Sequence, residues 1–280
     1  MAFFNLFKEK IIEPTVHENE QGLTLFDGAH ILNNCNKVNL DGHAVVLESH
    51  NTNFDQVRGR AKIQLLNGGK IGEISGRAKI GHVKDAYIAV VKGRVEITTI
   101  SSGSIDYVGD RCFVRTLNSG SIKFLDDRCK IDTINNGKIL FARKHAKIGT
   151  MNNGSIEALT DCAQISTLNS GKINYVLDKS YIGTINHGSL NEVCDNTEIG
   201  TFADGSINVI VGNAIICQQS GGKVGTKQPN SVIVYTLKKE KQKSRKKEQA
   251  PKQTDEVKKE NVAKTEIAEQ TSLLDTEESK

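Results

Sequence analysis

Apolar and polar residues recur along this chain at a spacing that fits neither a helix nor an ordinary strand. Five positions of a repeating unit are nearly always apolar, and they follow one another at intervals of 3, 4, 2, 3 and 5 residues. One column runs Ile71, Ile88, Ile105, Ile122, Ile139, and a second Ile74, Val91, Val108, Leu125. A third, of small residues, runs Ala78, Val95, Cys112, Cys129, Ala146. The fourth and fifth run Ile80, Ile97, Val114, Ile131 and Val83, Ile100, Leu117, Ile134. A helix would repeat its apolar face every 3.6 residues, and a half-buried strand every 2. Three very short strands joined by corners account for the observed intervals.

A second recurrence marks one of the corners. Leu117-Asn118-Ser119-Gly120-Ser121-Ile122 returns as Ile134-Asn135-Asn136-Gly137-Lys138-Ile139 and as Met151-Asn152-Asn153-Gly154-Ser155-Ile156. Gly103, Gly120, Gly137, Gly154, Gly171, Gly188 and Gly205 follow at a constant step of 17. Asn-Gly marks a corner that needs positive φ, so these glycines are expected to be structural turn residues. Asp110, Asp127, Asp161, Asp178 and Asp195 form another column, shared with Gly76, Gly93, Gly212 and Lys144. Aspartate exchanging with glycine at one place is turn chemistry rather than a calcium ladder. Outward columns of Thr (Thr99 to Thr201) and of Asn (Asn118 to Asn186) are expected to stack as hydroxyl and amide ladders.

A fixed short period is the signature of a repeat architecture. Isoleucine and valine favour strands, and coils stacked at about 4.8 Å pair each strand in parallel with its neighbours. Seventeen residues cannot hold a strand, a helix and their connections. The expected fold is therefore all-β: a single-stranded, three-sided parallel β-solenoid (β-helix) of about twelve 17-residue coils, with flexible termini. Three segments follow. Residues 1–22 are an apolar and basic N-terminal segment, and residues 23–237 are the solenoid. Residues 238–280 are a charged tail, too poor in apolar side chains to order itself.

Net charge is +4 over 280 residues. The basic residues read as ungathered on the repeats, so bulk charge argues neither for nor against nucleic acid; the basic run from Lys238 reads as a solvated tail, and nucleic acid is not an expected partner. The six cysteines include no C-x-x-C, and Cys112 and Cys129 share the small apolar column, so inert thiols are expected. The seven histidines are scattered, with no ligand pair, nucleophile elbow or phosphate-binding loop. The expectation is a protein that is not an enzyme, with no catalytic residues, no cofactor and no metal. Few aromatics in outward columns argue against a sugar-binding groove.

The N-terminus sets Phe3, Phe4, Leu6 and Phe7 beside Lys8 and Lys10. It admits three readings. One is a membrane-touching peptide, with aromatics in the interface and lysines on anionic headgroups. The others are a hydrophobic cap over the first coil and a partner-binding segment. Neither a signal-peptide pattern nor a bilayer-spanning apolar run is present, which leads to a cytoplasmic location, at the inner face of the membrane under the first reading.

The repeat without helices over residues 23–226, together with Met1-Ala2-Phe3-Phe4-Asn5-Leu6-Phe7-Lys8-Glu9-Lys10, resembles the bactofilins. The Asn-Asn-Gly corner, the number of coils and the long tail depart from that family's pattern. The resemblance implies a bacterial cytoskeletal protein that polymerises end to end without nucleotide and scaffolds partners at a membrane. The expected function is thus a non-enzymatic structural protein that self-associates through its solenoid ends, with the tail 238–280 available to a protein partner. The rival reading is a phage- or mobile-element-encoded β-solenoid that serves as a binding or accessory protein.

Overall fold

The computed structural model describes residues 13–235, and every regular element among them is a strand. Twenty-seven strands, from β1 (Thr15–Glu18) to β27 (Val232–Tyr235), form two wholly parallel sheets. The odd-numbered strands make a sheet of 14 and the even-numbered strands a sheet of 13. Each of 13 coils gives one strand to each sheet, and β27 follows alone. The expected β-solenoid is therefore the fold.

Strands occupy two sides of each coil, and the third side is a tight turn. In one coil, β15 (Lys130–Ile134) leads through Asn135-Asn136-Gly137 into β16 (Lys138–Ala142). Arg143-Lys144-His145-Ala146 then returns the chain to β17 (Lys147–Met151). The amide of Ala146 donates to the carbonyl of Arg143 at 3.1 Å and closes the turn. Its fourth residue belongs to the small column, and Ala78, Cys129 and Ala146 there are at most 1% exposed. So tight a return brings the backbone close to the core. Only a small side chain fits, and no room is left for a third strand.

Like residues stack on like. Ile131 pairs with Ile148 and Thr133 with Thr150, one period apart. The isoleucine column at Ile105, Ile122, Ile139 and Ile156 is buried throughout, and each such side chain stabilises the fold by about 2 kcal/mol. Outside, the asparagine column forms a continuous amide ladder. The Nδ2 of Asn135, Asn152, Asn169 and Asn186 each donates to the Oδ1 one coil earlier, at 2.7 to 2.9 Å.

The solenoid begins at Thr15 rather than at residue 23, because β1 already pairs with β3 (Ala29–Asn33). Its first coil is shorter: Thr15 pairs with His30, an offset of 15. The offset is 16 at Ala29 and Val45, and reaches 17 only past an irregularity at His30 and Ile31. A fixed period of 17 cannot reveal a coil that is two residues short.

The corner glycines divide into two kinds. Gly103, Gly154, Gly171 and Gly205 have φ between +99° and +109°, as the Asn-Gly signal implies. Gly120, Gly137 and Gly188 are not in the left-handed region. There the requirement is space: a Cβ on Gly137 would lie 2.4 Å from Leu117 Cγ, and one on Gly188 2.4 Å from Leu168 Cδ2. Backbone freedom, the expected role of Gly120, gives way to close approach by the core of the preceding coil.

Candidate functional site

Among the described residues, the four-residue turn edge carries a dense set of polar side chains. Its second residue is Gly59, Gly76 or Gly93 in the early coils, then Asp110, Asp127, Lys144, Asp161, Asp178 and Asp195. All of these have positive φ, so the aspartate column is a turn column. In the early coils only this residue is left-handed, the sign pattern of a type II′ turn, which glycine suits. From Asp127–Arg128 to Asp195–Asn196 both central residues are left-handed, as in type I′. Asx side chains tolerate that conformation better than most residues.

The third turn residue is Arg60, Arg77, Arg94, Arg111 and Arg128 in five successive coils. All five are exposed. No carboxylate among the described residues lies within ion-pair distance of them. Two residues on, Lys62, Lys79, Lys130 and Lys147 extend the band, with Lys79 paired to Glu96 at 2.9 Å and Lys130 to Asp132 at 2.7 Å. An open groove follows this edge from Gly93 to His145, lined by Arg94, Arg111, Arg128 and Lys144 and also by Asp110 and Asp127. Basic residues are therefore gathered on the repeats, contrary to the sequence reading. The signal stands in Gly59-Arg60-Ala61-Lys62-Ile63 and Gly76-Arg77-Ala78-Lys79-Ile80. It escapes a search for apolar columns because arginine is outward and polar.

Where the turn type changes, the backbone pairing between coils reverses. The amide of Arg111 donates back to Gly93, whereas that of Arg128 donates forward to Lys144. Side chains bridge the junction instead. Tyr107 Oη donates to Asp127 Oδ2 at 2.8 Å. A side chain on Gly109 would collide with the Tyr107 ring, so glycine there lets the tyrosine fold over. Asp126 is fully buried and receives Arg143 through Nε at 2.7 Å and Nη2 at 3.0 Å, with Lys144 Nζ at 3.4 Å. Arg143 also lies over the Phe124 ring at 4.6 Å, and Phe124 stacks on Phe141. The bond to Asp126 raises the Arg143 pKa, and burial followed by the Asp127 bond raises that of Tyr107. Tyr107, Phe124, Phe141 and Tyr175 share one outward column, so outward aromatics are more gathered than the sequence reading had them.

Three of the thiols, Cys129, Cys194 and Cys217, are pushed toward the protonated form, while the hydrogen bond from Cys129 lowers the pKa of Cys112. All six cysteines are free. The hydrogen bond to Cys112 and burial push Cys129 up, and burial with the Glu192 bond pushes Cys194 up to about 12; a protonated thiol is unreactive. Among the described residues no cluster of His, Cys, Asp or Glu has metal-binding geometry. Phe3, Phe4, Leu6, Phe7, Lys8, Lys10 and the tail from 238 lie outside the described residues.

The two ends of the solenoid differ from its middle. Inward residues in the middle are at most 2% exposed, while Leu23 and Leu25 at one end and Val224 and Ile233 at the other are only partly buried. Val16 and Phe26 at the first end, and Val232 and Val234 at the second, are more than half exposed or close to it, at 54%, 63%, 50% and 52%. Among the described residues β1 pairs only with β3, and β27 only with β25 (Ile215–Gln219).

Comparison of the chain with protein-family models, with curated proteins and with solved structures returned no match.

Proposed function

We propose that this protein is a non-enzymatic structural scaffold that assembles end to end through the open faces of its solenoid. The observation that carries this is the continuation of the core columns to both ends, where their last members are only partly buried. An unpaired strand edge is a template for another strand. A head-to-tail contact between different surfaces gives an open filament unless its rotation closes. Docking β27 of one copy against β1 of the next extends the first sheet and covers the inward Ile233, which is only partly buried in the single solenoid. The likeness to bactofilins supports the same reading through the coil architecture and the N-terminal peptide.

Substituting Ile233→Asp puts a carboxylate where the next copy would bury it unpaired, at a cost of several kcal/mol. Ile233 lies on the last coil, so the single solenoid keeps its other coils. Sedimentation velocity is expected to show large assemblies for the parent protein and single chains for the variant, with similar strand signals in circular dichroism. Unchanged sedimentation of the variant would remove the ends as the assembly surface.

Phe3, Phe4 and Phe7 with Lys8 and Lys10 support a membrane contact for the assembled protein. One short peptide binds weakly, and assembly multiplies it. Changing the three phenylalanines to Ser is expected to abolish co-sedimentation with anionic liposomes. Equal binding by the variant would assign the segment to capping or to a protein partner.

A further inference from the structure

We propose that the arginine edge formed by Arg60, Arg77, Arg94, Arg111 and Arg128 binds the phosphodiester backbone of single-stranded nucleic acid without selecting bases. Four features carry this. First, the five residues stand on five consecutive coils, Arg60 to Arg111 in one turn conformation and Arg128 just past the change of turn type, so they follow the rod at the coil step of about 4.8 Å, roughly 19 Å from first to last. A row of equal charges fits a linear polyanion. Second, all five are arginine. The guanidinium fork matches a phosphate in two hydrogen bonds, which an ammonium cannot do.

Third, the row is free to bind. Its members are exposed, and no carboxylate of the described residues engages them. Glycine precedes the first three. Asp110 and Asp127 precede the other two and stay at the surface, but each is engaged by a donor other than the row: Asp110 accepts the Gly93 amide at 2.8 Å and Asp127 the Tyr107 hydroxyl at 2.8 Å. Fourth, the edge lacks what a bilayer would use. The exposed large apolar residues are Val16, Phe26, Leu140, Tyr175, Tyr181 and three from Ile215 onward, and none belongs to this row. In a duplex each strand winds around the helix axis and soon leaves a straight edge, while a flexible single strand can run along the row. Neighbouring Lys62 and Lys147 deepen the positive field.

The test is fluorescence anisotropy of the full chain with a labelled oligothymidylate of about 16 nucleotides, over a salt series. Comparison probes are a duplex of equal length, a polyuronate, polyglutamate and vesicles containing anionic lipid. Five phosphate contacts predict a log–log salt slope from this edge of about −3.5. The variant Arg77→Gln/Arg94→Gln/Arg111→Gln is expected to lessen that slope by about 2 and to weaken binding about tenfold or more at low salt. Removing equal charge from the other sheet, as Lys70→Gln/Lys138→Gln/Lys172→Gln, is expected to leave the slope unchanged. The tail stays constant in both variants. If the triple arginine variant does not fold, Arg94→Gln alone decides, with an expected change of about 0.7. The proposal is overturned if the oligothymidylate does not bind at about 50 mM salt, or if the arginine variant matches the parent protein. It is also overturned if the lysine variant loses as much, or if the duplex, polyuronate, polyglutamate or vesicles bind more tightly than the single strand.

Discussion

Gly154→Ala is expected to lower the stability of the solenoid by about 3 kcal/mol or more, and Gly137→Ala, one coil earlier, by only about 1–2 kcal/mol. Gly154 has φ +107°, and a Cβ there would lie 2.2 Å from the carbonyl oxygen of Gly137. Left-handed backbone already costs an L-residue about 1–2 kcal/mol. The colliding atom is main chain held in the inter-coil ladder, so relief requires separating two coils. In a solenoid that loss falls on the nearest-neighbour coupling that holds the rod together. Gly137 is not left-handed, and its Cβ would meet the Leu117 side chain at 2.4 Å. A leucine can change rotamer at the cost of overpacking. Urea titration followed by circular dichroism gives both values. Equal losses, or a larger loss at Gly137, would contradict the division of the corner glycines.

Arg143→Ala is expected to destabilise the protein by about 2–3 kcal/mol, near the lower bound for breaking a buried pair. Asp126 has no solvent exposure, while Arg143 is about a third exposed, at 33%. Losing the arginine therefore strands the buried carboxylate, with Lys144 at 3.4 Å as its remaining cation. The change also uncovers the Phe124 ring face that Arg143 covers. Other coils occupy this turn position without ions, through Ser75 and Thr160. The double variant Asp126→Ser/Arg143→Thr is accordingly expected to come within about 1 kcal/mol of the parent protein, because no charge is left stranded. Denaturation midpoints of Asp126→Ser, Arg143→Thr and the double close the cycle. Additive losses would show that the pair does not act as a unit.

The repeat made the fold legible because stacking enforces it. A residue that recurs every 17 positions lies on its own copy, so the isoleucine columns and the Asn118 to Asn186 ladder could be read as core and amide stack. The aspartate column could be read as a turn for the same reason, since Asp127 and Gly76 satisfy one backbone requirement. Four features escaped. The coil at Thr15 breaks the period by two residues, which hides it from any fixed-step reading. Gly120 and Gly154 look identical in sequence, and only the packing of the preceding coil separates a glycine needed for φ from one needed for space. Arg60 to Arg128 were visible at the same step, but a pattern sought in apolar positions passes over an outward polar column. The two-sheet cross-section was also out of reach: an inward Ala146 is compatible with a short strand or a turn until its hydrogen bond to Arg143 is seen.

Self-assembly is the claim on which the functional account stands, and negative-stain electron microscopy of the full chain tests it most directly. Across a concentration series without nucleotide, the account predicts unbranched filaments one solenoid wide, with a strand spacing of about 4.8 Å along the axis in diffraction from aligned samples. Discrete single rods at every concentration, or closed trimers, would contradict it.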